Sequence, residues 1–322
     1  MIVFRGETVQ YIEGKKDLPL LVFIHGLGTN HKIWTNPEEV KILVGKYPLT
    51  SILTRPPLIK RKPPPISFGQ IPRRLKTTYH DLKDEGFPLL LYSQRRSAAG
   101  YRVLVRELIE ILNTVSSAKK RPILFVCHSR GGLIARKALE TERLNCIGLI
   151  TIATPHRGSN MARLAESLSL ILPVIEPFAK KGNHKGSESI IERVRTILKG
   201  RAVKELLPES AFIKGLDNSL LKKIKTLSIG GTDPTLLCIY RYNRKTGGYK
   251  PVIKIPNILN SLVPGDYLPD EIKPGKGDSL VTADSAIAPY AIEHRNFRLN
   301  HAKLLFHSAL RKTVKDFIGE IL

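Results

Sequence analysis

The chain is short of acid. Against 52 Lys and Arg it sets only 28 Asp and Glu, a formal net charge of +24 over 322 residues. Such an imbalance fits an anionic counterpart, whether nucleic acid, lipid or an acidic substrate, and equally a plain solvated basic surface. Aromatic residues make up only 7% and the basic residues are spread along the chain, which argues against a single-strand stacking platform. No nucleic-acid partner is therefore expected. Cysteine is scarce as well: Cys127, Cys146 and Cys238 are odd in number, unpaired in spacing and set in apolar stretches. That pattern excludes a disulfide framework and fits buried thiols in a reducing compartment. No apolar run approaches the roughly 20 residues that span a bilayer, and the run near Leu168 is broken by Pro173. The opening residues, MIVFRGETVQYIEG, lack the basic and apolar regions of a secretory leader, so a cytoplasmic protein is expected.

What remains is enough for a large core, with 42% hydrophobic residues. Apolar strand-like runs at 18–24, 87–93, 122–126, 147–153 and 225–230 alternate with helical spacing at 31–44, 101–115 and 132–139. This alternation predicts a mostly parallel sheet with helices on both faces. A hairpin is expected over 1–14 and a helix over 302–322, whereas 234–277 gives no clear pattern. Residues 160–225 break the rhythm with short amphipathic helices and no strand. They predict a helical cap inserted into a core formed by 1–159 and 226–322. Residues 55–76 hold six prolines in Pro56-Pro57, Pro63-Pro64-Pro65 and Pro72, with seven Lys or Arg and no acid. Proline at that density predicts an exposed, extended excursion, and its charge makes it the best candidate for contact with an anionic membrane surface.

The most informative stretch is RPILFVCHSRGGLIARKAL, 121–139. A buried strand turns into a helix around Ser129 with no residue spare for a loop, the arrangement of a nucleophile elbow. The first small position of that motif is Cys127 rather than glycine, and it is expected to pack rather than react. His-Gly-Leu-Gly, 25–28, ends the strand before it, and its turn offers the N–H of Leu27 as one half of an oxyanion hole. The N–H of Arg130 offers the other half. A serine hydroxyl needs an imidazole to take its proton and a carboxylate to orient that imidazole. Downstream, a last strand is expected over 290–297, and His301 lies in a loop at its end. His184 falls in the cap, His294 within the strand and His307 inside the final helix. For the acid, Asp278, Asp233 and Asp284 all follow predicted core segments.

The set HGLG, CHSRGG, ATPHRGS, GDSLV and NHAKLL resembles the α/β-hydrolase superfamily, in its lipase-like and glycosylphosphatidylinositol-deacylase-like branch. The resemblance implies that Asp278 is the acid, in an Asp-Gly/Ser-x-Val segment where glycine is commoner than Ser279, and that His301 is the base. It implies a serine ester hydrolase working through an acyl-enzyme on a small-molecule or lipid ester, without cofactor or metal. An acyltransferase or amidase using the same three residues, or a silent lipid-binding member of the fold, are the alternatives.

Overall fold

The computed structural model describes residues 2–4, 7–42, 47–72, 74–96, 98–115, 121–160, 200–261 and 268–322. Strands β1 (Ile2–Phe4), β2 (Glu7–Ile12) and β3 (Leu20–Ile24) open the chain. The short pair β4 (Lys41–Ile42) and β5 (Tyr47–Pro48) follows, then β6 (Ile66–Ser67), β7 (Leu89–Tyr92), β8 (Ile123–His128) and β9 (Cys146–Ile152). The last four strands are β10 (Lys225–Gly231), β11 (Leu237–Asn243), β12 (Gly248–Ile255) and β13 (Glu293–Phe297).

Eight strands form one sheet in the order β1-β2-β7-β3-β8-β9-β10-β13. Pairing is parallel from β7 through to β13, and antiparallel only at the edge where β1, β2 and β7 meet. Strands β3, β7 and β8 are buried at every position because both faces are covered. Neighbouring residues therefore enter opposite cores. Leu21 and Phe23 pack with Val126, Ile150 and Trp34 and with Leu310, Val314 and Phe317 of the C-terminal helix. Leu20, Val22 and Ile24 pack with Phe125 and Cys127, with Leu104, Leu108 and Ile111 of the helix Tyr101–Thr114, and with Ile134 and Ala138 of the helix Arg130–Thr141. Cys127 is fully buried, and burial pushes its thiol well above the usual range, so it packs and does not react.

Several expected elements change form. Only Lys32–Thr35 is α-helical in the predicted helix 31–44; a 3-10 turn at Pro37–Glu39 and β4 follow, because Pro37 cannot continue the helix. Trp34 is still fully buried. The last helix runs Ser308–Ile321, preceded by a 3-10 turn at Lys303–Phe306. Asn300 caps the start of that turn, its Oδ1 accepting from the N–H groups of Ala302 and Lys303. His307 thus stands before the helix and not inside it. The unassigned stretch after β10 contains the hairpin β11–β12, to which β6 of the proline-rich excursion adds a third strand. Most of the expected cap, 161–199, lies outside the described residues; its remainder holds short helices at Arg201–Lys204 and Ala211–Lys214 and a 3-10 turn at Leu221–Lys223. No helix among the described residues is long and apolar enough to cross a membrane.

Phe23 joins the edges of Trp34 and Tyr79, with ring centroids 5.2 and 6.1 Å away. Phe23→Ala is expected to remove about 3–5 kcal/mol of stability, measurable by urea unfolding.

Candidate active site

Ser129 sits at the junction of β8 and the following helix with φ 54° and ψ −131°, a conformation that L-residues rarely adopt. The strain is held by its surroundings. The Ser129 N–H donates to Ile152 O at 2.8 Å, and its carbonyl accepts from Gly132 N–H at 3.1 Å and from the Thr154 hydroxyl at 2.8 Å. Glycines make the packing feasible. A Cβ on Gly131 would stand 2.7 Å from Ile24 O, and one on Gly26 would stand 2.8 Å from Ser129 Cβ and 3.3 Å from its Oγ. The HGLG turn therefore runs directly beside the elbow.

That turn is fixed by His25. Gln94 N–H donates to His25 Nε2 at 3.0 Å, so the ring proton is on Nδ1, which donates to Gly26 O at 2.9 Å. Thr29 Oγ1 donates to the same carbonyl at 3.1 Å. Pinning the Gly26 carbonyl also pins the Leu27 N–H, which points the opposite way across a trans peptide. Among the described residues that N–H has no hydrogen-bond acceptor. Burial lowers the His25 pKa to about 4, so the ring stays neutral and keeps this tautomer.

Asp278 and His301 meet. Asp278 Oδ2 accepts from His301 Nδ1 at 2.9 Å, and both side chains are buried. The other carboxylate oxygen accepts from Leu280 N–H at 2.9 Å and Val281 N–H at 2.8 Å, and His301 N–H donates to Asp278 O at 2.9 Å. The rivals are occupied elsewhere or exposed: Asp233 Oδ1 accepts from the hydroxyl and N–H of Thr235, and Asp284 faces solvent. His294, on β13, pairs with Ser228 of β10, and His307 is exposed; His184 lies outside the described residues. His301 reaches the elbow through His128, the residue before Ser129. The two rings lie 4.8 Å apart, and His128 Nε2 donates to His301 O at 3.2 Å. No hydrogen bond joins Ser129 Oγ to His301.

His128 carries more than the sequence reading assigned to it. Burial drives its pKa well below the ordinary value, and the neighbouring His301 lowers it further. A neutral ring there adds no second positive charge beside His301. Arg130 is likewise more than a source of a backbone N–H. Its side chain is 1% exposed, donates to Ala99 O at 2.7 Å and pairs with Glu205 at 3.0 Å. Glu205 in turn accepts from the N–H of Tyr101 at 2.8 Å, at the start of its helix, tying three segments to the elbow. No local pattern marks Glu205, since its partners are 75 and 104 residues away. The loop after β9 is clamped to the acid loop through Ser159 Oγ to Leu280 O and Ser285 Oγ to Gly158 O. Among the described residues no three His, Cys, Asp or Glu side chains group as metal ligands.

Residues 93–184 match the model of a family described as "Putative serine esterase (DUF676)". The mature lipase BlEst2 of Bacillus licheniformis is similar in structure, with a TM-score of 0.57 at 15% identity over 98% of both chains. Its propeptide form gives 0.55 at 17% identity, covering 97% of this chain and 53% of that one. BpoC of Mycobacterium tuberculosis H37Rv, a "Putative non-heme bromoperoxidase", gives 0.50 at 12% identity over 100% and 98%. No curated protein matches the sequence. The fold is the α/β-hydrolase fold, and the segment that holds the elbow lies within the match to the family described as "Putative serine esterase".

Two outcomes follow from the local geometry. Ser279 has φ 91°, in the left-handed region that favours glycine. Ser279→Gly relieves strain and is expected to raise stability by about 1 kcal/mol in thermal unfolding, net of glycine's extra chain entropy. Glu205→Ala strands a buried guanidinium and is expected to lower stability by roughly 3 kcal/mol, with Glu205→Gln losing less in the same urea titration.

Proposed function

We propose that the chain is a serine carboxylic-ester hydrolase that works through an acyl-enzyme, with Ser129 as nucleophile, His301 as general base and Asp278 orienting the imidazole. The observation that carries this reading is the buried Asp278–His301 pair, 2.9 Å apart, set against the residue that precedes an elbow serine. With the His301 Nδ1–H held in its hydrogen bond to Asp278, Nε2 is left with a lone pair to accept the proton of Ser129. Attack on the ester carbonyl places negative charge on its oxygen. The N–H of Leu27, aimed by the His25-to-Gly26 bond, and the N–H of Arg130, the first in its helix, are the donors for that charge. Collapse expels the alcohol, which takes the proton from His301; water then repeats the sequence to release the acid. The missing Ser129–His301 hydrogen bond is compatible with this course, since catalytic contacts in an unliganded site often tighten only with substrate.

Ser129→Ala is expected to lower kcat on a short p-nitrophenyl ester by at least ~10³-fold. A fluorophosphonate probe should label the wild type at Ser129. His301→Ala should lose activity comparably while His307→Ala stays within about twofold of wild type. Undiminished turnover in Ser129→Ala, or equal losses in the two histidine variants, overturns the assignment.

A further inference from the structure

The charge that sequence reading finds dispersed has one local concentration in the fold. Residues 55–76 carry seven Lys or Arg and residues 234–261 carry five, and neither stretch contains an acidic residue. Folding brings these stretches together. The bridge Arg55–Gln70 closes the neck of the excursion, and Ile66 and Ser67 pair with Arg241 and Tyr240 of β11. Tyr242 N–H donates to Pro65 O and the Tyr249 hydroxyl to Pro64 O. The result is a three-stranded sheet, β12-β11-β6, separate from the main one. Cross-strand register puts Ile66, Arg241 and Lys250 in one row, and all three are exposed; Tyr240, on the opposite face, is buried.

The second unusual feature is apolar. Of ten large hydrophobic side chains exposed among the described residues, six belong to this unit: Leu58, Ile59, Ile66, Phe68, Ile71 and Val252. Leu58 and Ile59 are 67% and 64% exposed and run directly into Lys60-Arg61-Lys62, looped out between the neck and Pro64. Aliphatic side chains that gain nothing by facing water, interleaved with cations and free of acids, match one kind of counterpart in both respects. An anionic leaflet offers phosphate and carboxylate charge at its surface and hydrocarbon just beneath it. A nucleic acid would reward the cations but not Leu58 and Ile59, since phosphate contacts are electrostatic.

We propose that the unit formed by residues 55–72 and β11–β12 is a docking surface for the face of an anionic lipid bilayer, with Leu58 and Ile59 entering the headgroup region and the Lys and Arg side chains holding the anionic headgroups. The surface does not depend on the chemistry assigned to Ser129. It does lie near the site: Asn300, next to His301, donates to Thr235 O at the base of β11, so the loop that carries the base also anchors the unit.

The full chain is tested by flotation with vesicles of phosphatidylcholine alone and with about 30 mol % phosphatidylserine, at roughly 0.1 M and 0.5 M salt. Binding to the phosphatidylserine vesicles at the lower salt, and much less to the others, is expected. Lys60→Glu/Arg61→Glu/Lys62→Glu should abolish it. Leu58→Ser/Ile59→Ser, which leaves the charge unchanged, should weaken it at least about tenfold. Circular dichroism melting checks that each variant folds, and Lys250→Glu/Lys254→Glu on β12 is a second charge variant. Trp34 is the sole and fully buried tryptophan, so Leu58→Trp adds an exposed reporter whose emission should shift to the blue on vesicle addition. No binding by the wild type, no shift from Leu58→Trp, or equal binding by Leu58→Ser/Ile59→Ser overturns the proposal. Tighter binding to a single-stranded oligonucleotide than to vesicles at equal salt also overturns it, in favour of nucleic acid.

Discussion

The backbone of Ser129 is the constraint around which the surrounding structure is arranged. A non-glycine residue at φ 54° costs roughly 1–3 kcal/mol and persists only where its neighbours leave it no alternative. Here β9 takes its N–H, Thr154 and Gly132 take its carbonyl, and Gly131 lets the helix close on the end of β3. Those contacts come from three different parallel strands and their loops. A change in the order or register of β3, β8 or β9 would remove at least one of them, so the sheet topology and the serine geometry are one requirement. The same closeness explains Gly26, whose missing side chain is what lets the HGLG turn lie against the serine.

Around this turn the polar groups are placed by neutral histidines and buried ion pairs. His25 and His128 share the site with His301 but are held neutral by burial, and each spends its ring on aiming a backbone group: Gly26 O in one case, His301 O in the other. Their bonds direct them to tasks that a protonated ring would perform less well. A charged His25 could not accept from Gln94 N–H, and a charged His128 would set an unpaired cation in the buried space beside His301. Arg130 and Glu205 do the corresponding work on the other side, holding the helix that begins at the serine against the helix that begins at Tyr101.

How much of this could be read from the chain depends on the range of each contact. The elbow was legible because strand, turn and helix are consecutive and each has its own periodicity, and the order serine, acid, histidine is also a property of sequence. Spacing could not choose among Asp233, Asp278 and Asp284, because all three follow core segments; their difference is a contact between residues 23 apart and the competing bonds from Thr235. The apolar spacing of AKLLF reads as helix, yet Lys303–Phe306 is a 3-10 turn whose start is held by the Asn300 side chain, and such bonds leave no periodic trace. The hairpin β11–β12 was hidden for a different reason. Its strands lie away from the main core, so Arg, Lys and Pro occupy positions where a core strand would show alternating apolar residues.

That same hairpin changes the meaning of the net charge. Read along the chain, +24 looks like a diffuse property of the surface. In the fold, the two longest acid-free and Lys/Arg-rich stretches are neighbours in one small sheet, together with most of the large apolar side chains left in water. General solubility would favour the cations but not the exposed Leu58, Ile59 and Phe68, which add to the hydrophobic surface without covering any core. A core function is excluded by their exposure, and a purely electrostatic one leaves them unexplained. The combination is accounted for by a surface that must be attracted by charge and then held by hydrocarbon. Its root in the Asn300–Thr235 bond ties that sheet to the loop that carries His301.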